Sequence, residues 1–357
     1  MMKQYKYIFM SILVICITLI STACTNEQNK EQTTEKEQKV SLKTKEDKLY
    51  VGFAIDTLKE ERWYKDKALF EEQVKKLGGQ VKTLAANGID DVQIKQAELL
   101  IEEGVNVLVV VPHDAVASAE IVDRAHKAGV KVISYDRLIK NADVDYYISF
   151  DNEKVGEIQA KEVLKVKSKG NFAYIGGAET DNNAILFRKG AMNVLQPLID
   201  SGKIKLIYDQ YTDEWNPVIA EKNMRNALGA NNEKINAVIA ANDGTAGGVI
   251  NALSEVKLAG KVPVSGQDAE LEGVKRVASG VQTMTVYKPI NLLATQAAEL
   301  AIDVAKNEEI KTQAKIPNGK IDVPSILLEP LAVTKDNIKD TVIKDGYLKE
   351  EDIYGSK

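Results

Sequence analysis

Beyond residue 48 the chain alternates short apolar runs with stretches whose apolar residues return every three or four positions. The runs at 49–55, 81–85, 105–111, 130–135 and 147–150 predict five strands, and from Val107 through Leu108, Val109 and Val110 to Val111 no polar residue intervenes. A run without polar alternation suits a strand buried on both faces, hence a parallel sheet covered by helices on each side. Between the runs, Leu69, Val74 and Leu77, then Ile94, Ala97 and Ile101, then Ala117, Ile121 and Ala125 fall at helical spacing. The second half repeats the scheme, with strands predicted at 171–175, 204–211, 237–241, 262–265 and 281–286 and helices at 184–198, 217–228, 246–254 and 271–278. Pro217 suits a first helical turn, where its missing N–H has no intrahelical partner to lose. A long helix is predicted over 289–307 and a last strand over 325–333. Two similar βα halves predict an α/β protein of two doubly wound parallel-sheet lobes, with a cleft between them.

The N-terminal stretch follows another pattern. Lys3 and Lys6 precede an apolar run at 7–20, followed by Ser21, Thr22, Ala23 and Cys24, which predicts a signal peptide over 1–23. The run is too short for a comfortable membrane span, and an uncleaved anchor helix is disfavoured by the polar residues that end it. The segment resembles a lipoprotein signal, which implies that Cys24 becomes the mature N-terminus and carries lipid. Ser21 departs from that pattern, which usually has an aliphatic residue three positions before the cysteine. Residues 24–48, rich in Glu, Gln, Lys and Thr, read as a solvated tether. The folded part is therefore expected outside the cytoplasm, anchored to the cell membrane through Cys24. Cys16, the other cysteine, lies in the signal, so no disulfide is expected in the mature chain.

A length of 357 residues suits two domains, and 44% hydrophobic with 28% charged residues is ordinary globular composition. The net charge of −5, about −7 once Lys3 and Lys6 are removed, argues against nucleic acid as a partner.

In open α/β sheets ligands sit beyond the carboxyl ends of the strands. The predicted strand exits carry Asp56, Glu61, Arg62 and Trp63, then Asp136 and Arg137, and in the second half Asn182, Asn183 and Arg188, Trp215, Asn242 and Asp243, Asp268, and Lys288. Amides, carboxylates, cations and both tryptophans of the chain thus gather where a ligand would lie. The set suits a monosaccharide, whose hydroxyls both donate and accept and whose C–H faces pack on aromatic rings. Other roles remain open for some of them: Asp136 and Asp268 could cap the following helices, Arg137 and Arg188 could be surface ion-pair partners, and capping is the better reading for Asn182 and Asp243. His113 and His126, the only histidines, are far apart and without cysteine support, so no metal site is expected. No nucleophile turn, phosphate loop or dinucleotide fingerprint is present, so neither catalysis nor a cofactor is expected.

Several long words resemble the D-xylose-binding family of ATP-driven sugar importers, a branch of the type I periplasmic binding proteins. They are Glu61-Arg62-Trp63, Tyr135-Asp136-Arg137, the nonapeptide from Ile148 to Gly156, Asp181-Asn182-Asn183-Ala184, Gly266-Gln267-Asp268-Ala269, the octapeptide from Gln282 to Pro289, and the decapeptide from Asn337 to Gly346. The similarity spans about residues 49–348. It implies a binding protein with no catalysis, a monomer, delivering D-xylose or a close relative to a membrane permease. It also implies ligand contacts at Arg62, Trp63, Asp136, Arg137, Asn183, Arg188, Trp215, Asn242, Asp268 and Lys288, with Trp63 and Trp215 sandwiching the ring. The lobes would comprise 49–149 with about 289–316, and 150–286 with about 320–348, with crossings near Phe150, near Lys288 and around Gly319. Around the second tryptophan the family pattern is Trp-Val-Asp-Gly-Trp, where this chain has Tyr211-Thr212-Asp213-Glu214-Trp215, a carboxylate in place of glycine. A sugar-sensing repressor would need a DNA-binding headpiece where this chain has a signal and tether. A chemosensory receptor would share every feature above.

Overall fold

The computed structural model describes residues 48–355. The expected signal, Cys24 and nearly all of the expected tether lie outside them. Strands β1 (Tyr50–Ile55), β2 (Gln80–Ala85), β3 (Val107–Val111), β4 (Lys131–Tyr135) and β5 (Tyr146–Phe150) alternate with helices α1 (Glu61–Lys76), α2 (Asp90–Glu102) and α3 (Ala119–Lys127), β5 following β4 directly. All five pair in parallel, β1 lying between β2 and β3 with Val51 opposite Val107 and Ile55 opposite Val111. Every residue of β3 is buried, as its unbroken apolar run requires.

The second lobe begins with α4 (Asn152–Val166), β6 (Gly170–Ile175), α5 (Asn182–Asp200), β7 (Ile204–Gln210), α6 (Pro217–Ala230), β8 (Ala237–Ala240), α7 (Asp243–Glu255) and α8 (Leu271–Ser279). Strands β7, β6 and β8 form a parallel sheet in that order. The run at 262–265 contributes a single bridge, Val264 to Val238, instead of a full strand. Then come β9 (Met284–Tyr287), α9 (Ile290–Ala305), β10 (Ala314–Pro317), β11 (Asp322–Leu328) and β12 (Leu331–Thr334).

The strand expected over 325–333 is thus two strands in two sheets. β11 pairs in parallel with β5, completing the order β10-β11-β5-β4-β3-β1-β2, whereas β12 pairs antiparallel with β9. This corrects the expected third crossing. Gly319 lies in the turn of the β10–β11 hairpin inside the first lobe, and the chain leaves that lobe at Glu329 and Pro330, where proline ends the ladder. The other crossings run from Phe150 into α4 and from Tyr287 through Lys288 and Pro289 into α9.

Each lobe is a three-layer stack. In the first, Trp63, Phe70 and Val74 of α1 and Leu293, Ala297 and Ala301 of α9 cover one sheet face, while Ala97 and Leu100 of α2 and Ile121 and Ala125 of α3 cover the other. In the second, α6 and α7 cover one face and α4 and α5 the other. Helices α4 and α5 approach closely because Gly156 lies against the Phe187 carbonyl and Gly190 against that of Glu153; a Cβ would come within 1.9 and 1.8 Å of those oxygens. Among the described residues no helix is long and apolar enough to cross a membrane.

Candidate functional site

The strand exits of both lobes meet around one cavity. Its walls are Glu60, Arg62, Trp63, Asp136, Arg137, Asp181, Asn183, Phe187, Trp215, Asn242, Gln267, Asp268 and Lys288. Nine of the ten residues singled out as ligand contacts are therefore brought together, and Arg188 is not.

Arg62, in the first turn of α1, joins three carboxylates. Its Nε donates to Asp66 Oδ2 at 3.1 Å, Nη2 to Asp136 Oδ2 at 2.9 Å, and Nη1 to Asp268 Oδ1 across the cleft at 3.2 Å. Lys288, at the crossing between lobes, lies 3.1 Å from Asp268 Oδ1 and 3.7 Å from Asp136 Oδ2. All five side chains are at most 7% exposed, and such burial is tolerable only because the charges oppose one another at short range. Burial alone would raise the Asp136 carboxyl, but Arg62, Lys288 and Arg137 outweigh it and hold the group at about 2. Asp136 is therefore an anion at any ordinary pH.

Asp136 and Asp268 do not cap helices. Both take left-handed backbone angles, φ 60° and 88°, which residues other than glycine adopt at functional turns when the surroundings enforce it. Asp136 is enforced through its N–H on Ile148 O at 2.8 Å and its carbonyl, which accepts from Tyr147, Ser149 and Asn183. Asp268 donates its N–H to Val286 O at 2.8 Å and accepts from the Tyr347 hydroxyl. Both carboxylates are thereby aimed inward.

A second group centres on Arg137, which is buried and not a surface partner. Its Nη1 lies 2.7 Å from Asp56 Oδ2 and its Nε 2.8 Å from Asp181 Oδ2, on the other lobe. Asn183 is held by Asn152, whose Nδ2 donates to Asn183 Oδ1 at 2.9 Å, leaving the Asn183 amide to donate to Asp136 Oδ1 at 3.0 Å. Trp63 lies beneath two guanidinium groups, with Arg62 at 4.2 Å and Arg137 at 5.2 Å from its ring centroid. Trp215 ends a short 3-10 turn, Asp213–Trp215, and its ring packs flat on Gly177, where a Cβ would stand 2.1 Å from it. Its Nε1 is buried with no hydrogen-bond partner among the described residues.

The caps fall one residue earlier than read from the sequence. Asp181, not Asn182, accepts from Asn183 N at the start of α5. Asn242, not Asp243, caps α7, its Oδ1 accepting from Thr245 N at 2.8 Å, which leaves its amide for the cavity. Asp243 is instead buried, taking bonds from Gln282, Thr285 and Glu270 N, and burial pushes it up to about 7.

Arg188 is corrected as a contact. Five residues beyond Asn183 on α5 it is turned about 140° around the helix, and it faces β7, where its Nε donates to Asp209 Oδ1 at 3.0 Å. Phe187, four positions after Asn183, has the helical spacing that reaches the cavity instead. The other wall residues that sequence reasoning passed over, Glu60, Asp181 and Gln267, each adjoin a singled-out residue or lie within one of the quoted words.

A family model described as "Periplasmic binding protein domain" matches residues 51–309. The chain is 53% identical over 303 residues to a D-xylose-binding periplasmic protein of Escherichia coli (strain K12), covering 85% of this chain and 92% of that one. It is 52% identical to a protein of the same description from Haemophilus influenzae, covering 86% and 92%. Among solved structures it is similar to a carbohydrate transporter solute binding protein from Chloroflexus aurantiacus in complex with D-glucose, with TM-score 0.79, 34% identity, and coverage of 85% of this chain and 98% of that one.

Proposed function

The chain belongs to the periplasmic binding protein family, and from that premise we propose that it captures D-xylose between its lobes and delivers it to the permease of an ATP-driven importer. The observation that carries this reading is a cavity walled from both lobes by two tryptophans, three amides and charges of both signs. A neutral polyol needs donors and acceptors together, and apolar faces for its C–H surfaces. Among the wall residues the carboxylates Glu60, Asp136, Asp181 and Asp268 outnumber the cations Arg62, Arg137 and Lys288. That balance disfavours phosphorylated sugars and sugar acids. Asp136, Asp268, Arg62, Arg137, Asn183, Asn242 and Lys288 are assigned to the hydroxyls, and Trp63 and Trp215 to the ring faces. The names of the two relatives supply the pentose. The protein is a binder with no catalytic step, works outside the cytoplasm as a monomer, and is held to the membrane by lipid on Cys24.

The test is calorimetric titration with D-xylose, D-glucose, D-ribose and D-xylonate. D-Glucose shares the ring hydroxyl arrangement of D-xylose and adds one hydroxymethyl group, so it is excluded sterically. Overpacking of that kind costs about 1–3 kcal/mol, roughly a ten- to hundredfold loss of affinity. D-Xylose is expected to bind best and D-xylonate not at all. Equal affinity for D-glucose would refute the selectivity, and silence with every neutral sugar would refute the function.

A further inference from the structure

We propose that Glu214 is a positioning residue for ligand capture: it reaches across the cleft to His113 and Lys59, clasps the lobes shut and holds Trp215 against the cavity, and its grip depends on whether His113 carries a proton. The inference rests on the reading of the cleft as a sugar site.

Glu214 and Trp215 are consecutive non-glycine residues in the left-handed region, φ 53° and 55°. A carboxylate stands where glycine would sit without strain, and such a backbone persists only where something holds it. What holds Glu214 lies on the other lobe. Its Oε1 is 3.4 Å from His113 Nε2 and its Oε2 is 3.6 Å from Lys59 Nζ. His113 Nδ1 lies 2.9 Å from Asp56 Oδ1, and the other Asp56 oxygen lies 2.7 Å from Arg137. A run of alternating charge therefore leads from Glu214 through His113, Asp56 and Arg137 to Asp181, beginning and ending on the second lobe. A neutral imidazole donates from one nitrogen only, so carboxylates at both nitrogens suit the imidazolium.

The charged groups facing His113 are Asp56, Lys59, Glu60 and Arg137 from the first lobe, Asp90 at the head of α2, and Glu214 across the cleft. Asp56 is the main cause that lifts His113 above its ordinary value, with Glu214 and Asp90 adding to it. When the lobes part, Glu214 leaves while Asp56 and Asp90 stay. The closed form thus holds the proton more tightly than the open form. Its added stability is complete below the open-form pKa and is lost as pH rises through the raised closed-form value, a window above 6.5.

The experiment is calorimetric titration of D-xylose into the full chain between pH 6 and 9, in buffers of contrasting ionisation enthalpy. Wild type is expected to take up a fraction of a proton on binding near neutrality and to lose about three- to tenfold in affinity toward pH 9. Glu214→Gln keeps the side-chain length and should bind with less proton uptake and a shallower pH profile, the remainder coming from Glu270, which burial and neighbouring carboxylates push up to about 8. Glu214→Gly relaxes the backbone and should behave the same way, separating the loss of the clasp from strain. Proton-free binding by wild type across the range, or a wild-type pH slope retained by Glu214→Gln, overturns the clasp. No binding heat from wild type at any pH would instead overturn the sugar reading and this inference with it, and is distinguished by a blank titration in every protein.

Discussion

Asp268 is a bridge between cations delivered by different elements, with Arg62 at 3.2 Å and Lys288 at 3.1 Å on the same oxygen. Removing it leaves two buried cations to share Asp66 and Asp136, and breaking a buried pair costs about 3–5 kcal/mol. Asp268→Ala is therefore expected to weaken D-xylose binding at least a hundredfold, with Asp268→Asn intermediate because it keeps the shape and an acceptor. Titration of both variants checks this, and near-wild-type binding by Asp268→Ala would place the site elsewhere. At this scale the sequence was informative where a side chain directly follows a strand, as with Asp136 and Arg137, because sheet topology fixes its direction. It was uninformative where direction depends on helical phase. Arg188 points to β7, and Asp66, which orients Arg62, lies inside α1 with no sign that separates it from an ordinary surface carboxylate.

Helices α4 and α5 carry the paired amides Asn152 and Asn183, so the spacing of the helices sets the spacing of the site. That spacing is fixed by two glycines, each against a carbonyl of the opposite helix at less than 2 Å from where a Cβ would be. Backbone oxygens cannot swing aside as a side chain could. Gly156→Ala is expected to push the helices apart, costing about 1–3 kcal/mol in urea denaturation, and to weaken sugar binding through Asn183. An unchanged unfolding midpoint would mean that the helices slide freely. Most elements were legible from the sequence because period and burial agree, as in β3. Two were not. The run at 262–265 reads as a strand but keeps one bridge, and the stretch 325–333, apolar on both sides of Glu329 and Pro330, is divided between two sheets. Pro330 was the available signal, since a residue without an N–H is poorly suited to continuing a central strand.

At the scale of the whole molecule, the structure is a closed form. Arg137 to Asp181, Arg62 to Asp268 and Asn183 to Asp136 all cross between lobes with side chains at most 7% exposed. The three crossings supply the connections about which the lobes can turn, and hinge closure around ligand is a motion this family uses. Without sugar, opening returns the charged groups to water, which favours ions over any dry cleft. On the proposed reading, the hydroxyls of a bound sugar would meet the same groups and the closed form would gain. A ligand shifts such an equilibrium only by its differential affinity, and moving it from 1:99 to 99:1 takes about 5.5 kcal/mol. Two tryptophan faces and a set of charge-assisted hydrogen bonds at about 1.5–3 kcal/mol each can supply that difference. Small-angle scattering of the chain is therefore expected to show a smaller radius of gyration with saturating D-xylose than without it. The folded part should approach about 19 Å, the value for a compact chain of its length. A radius that does not change while calorimetry reports binding would mean that the cleft admits sugar without closing, and the interlobe ion pairs would then be permanent braces.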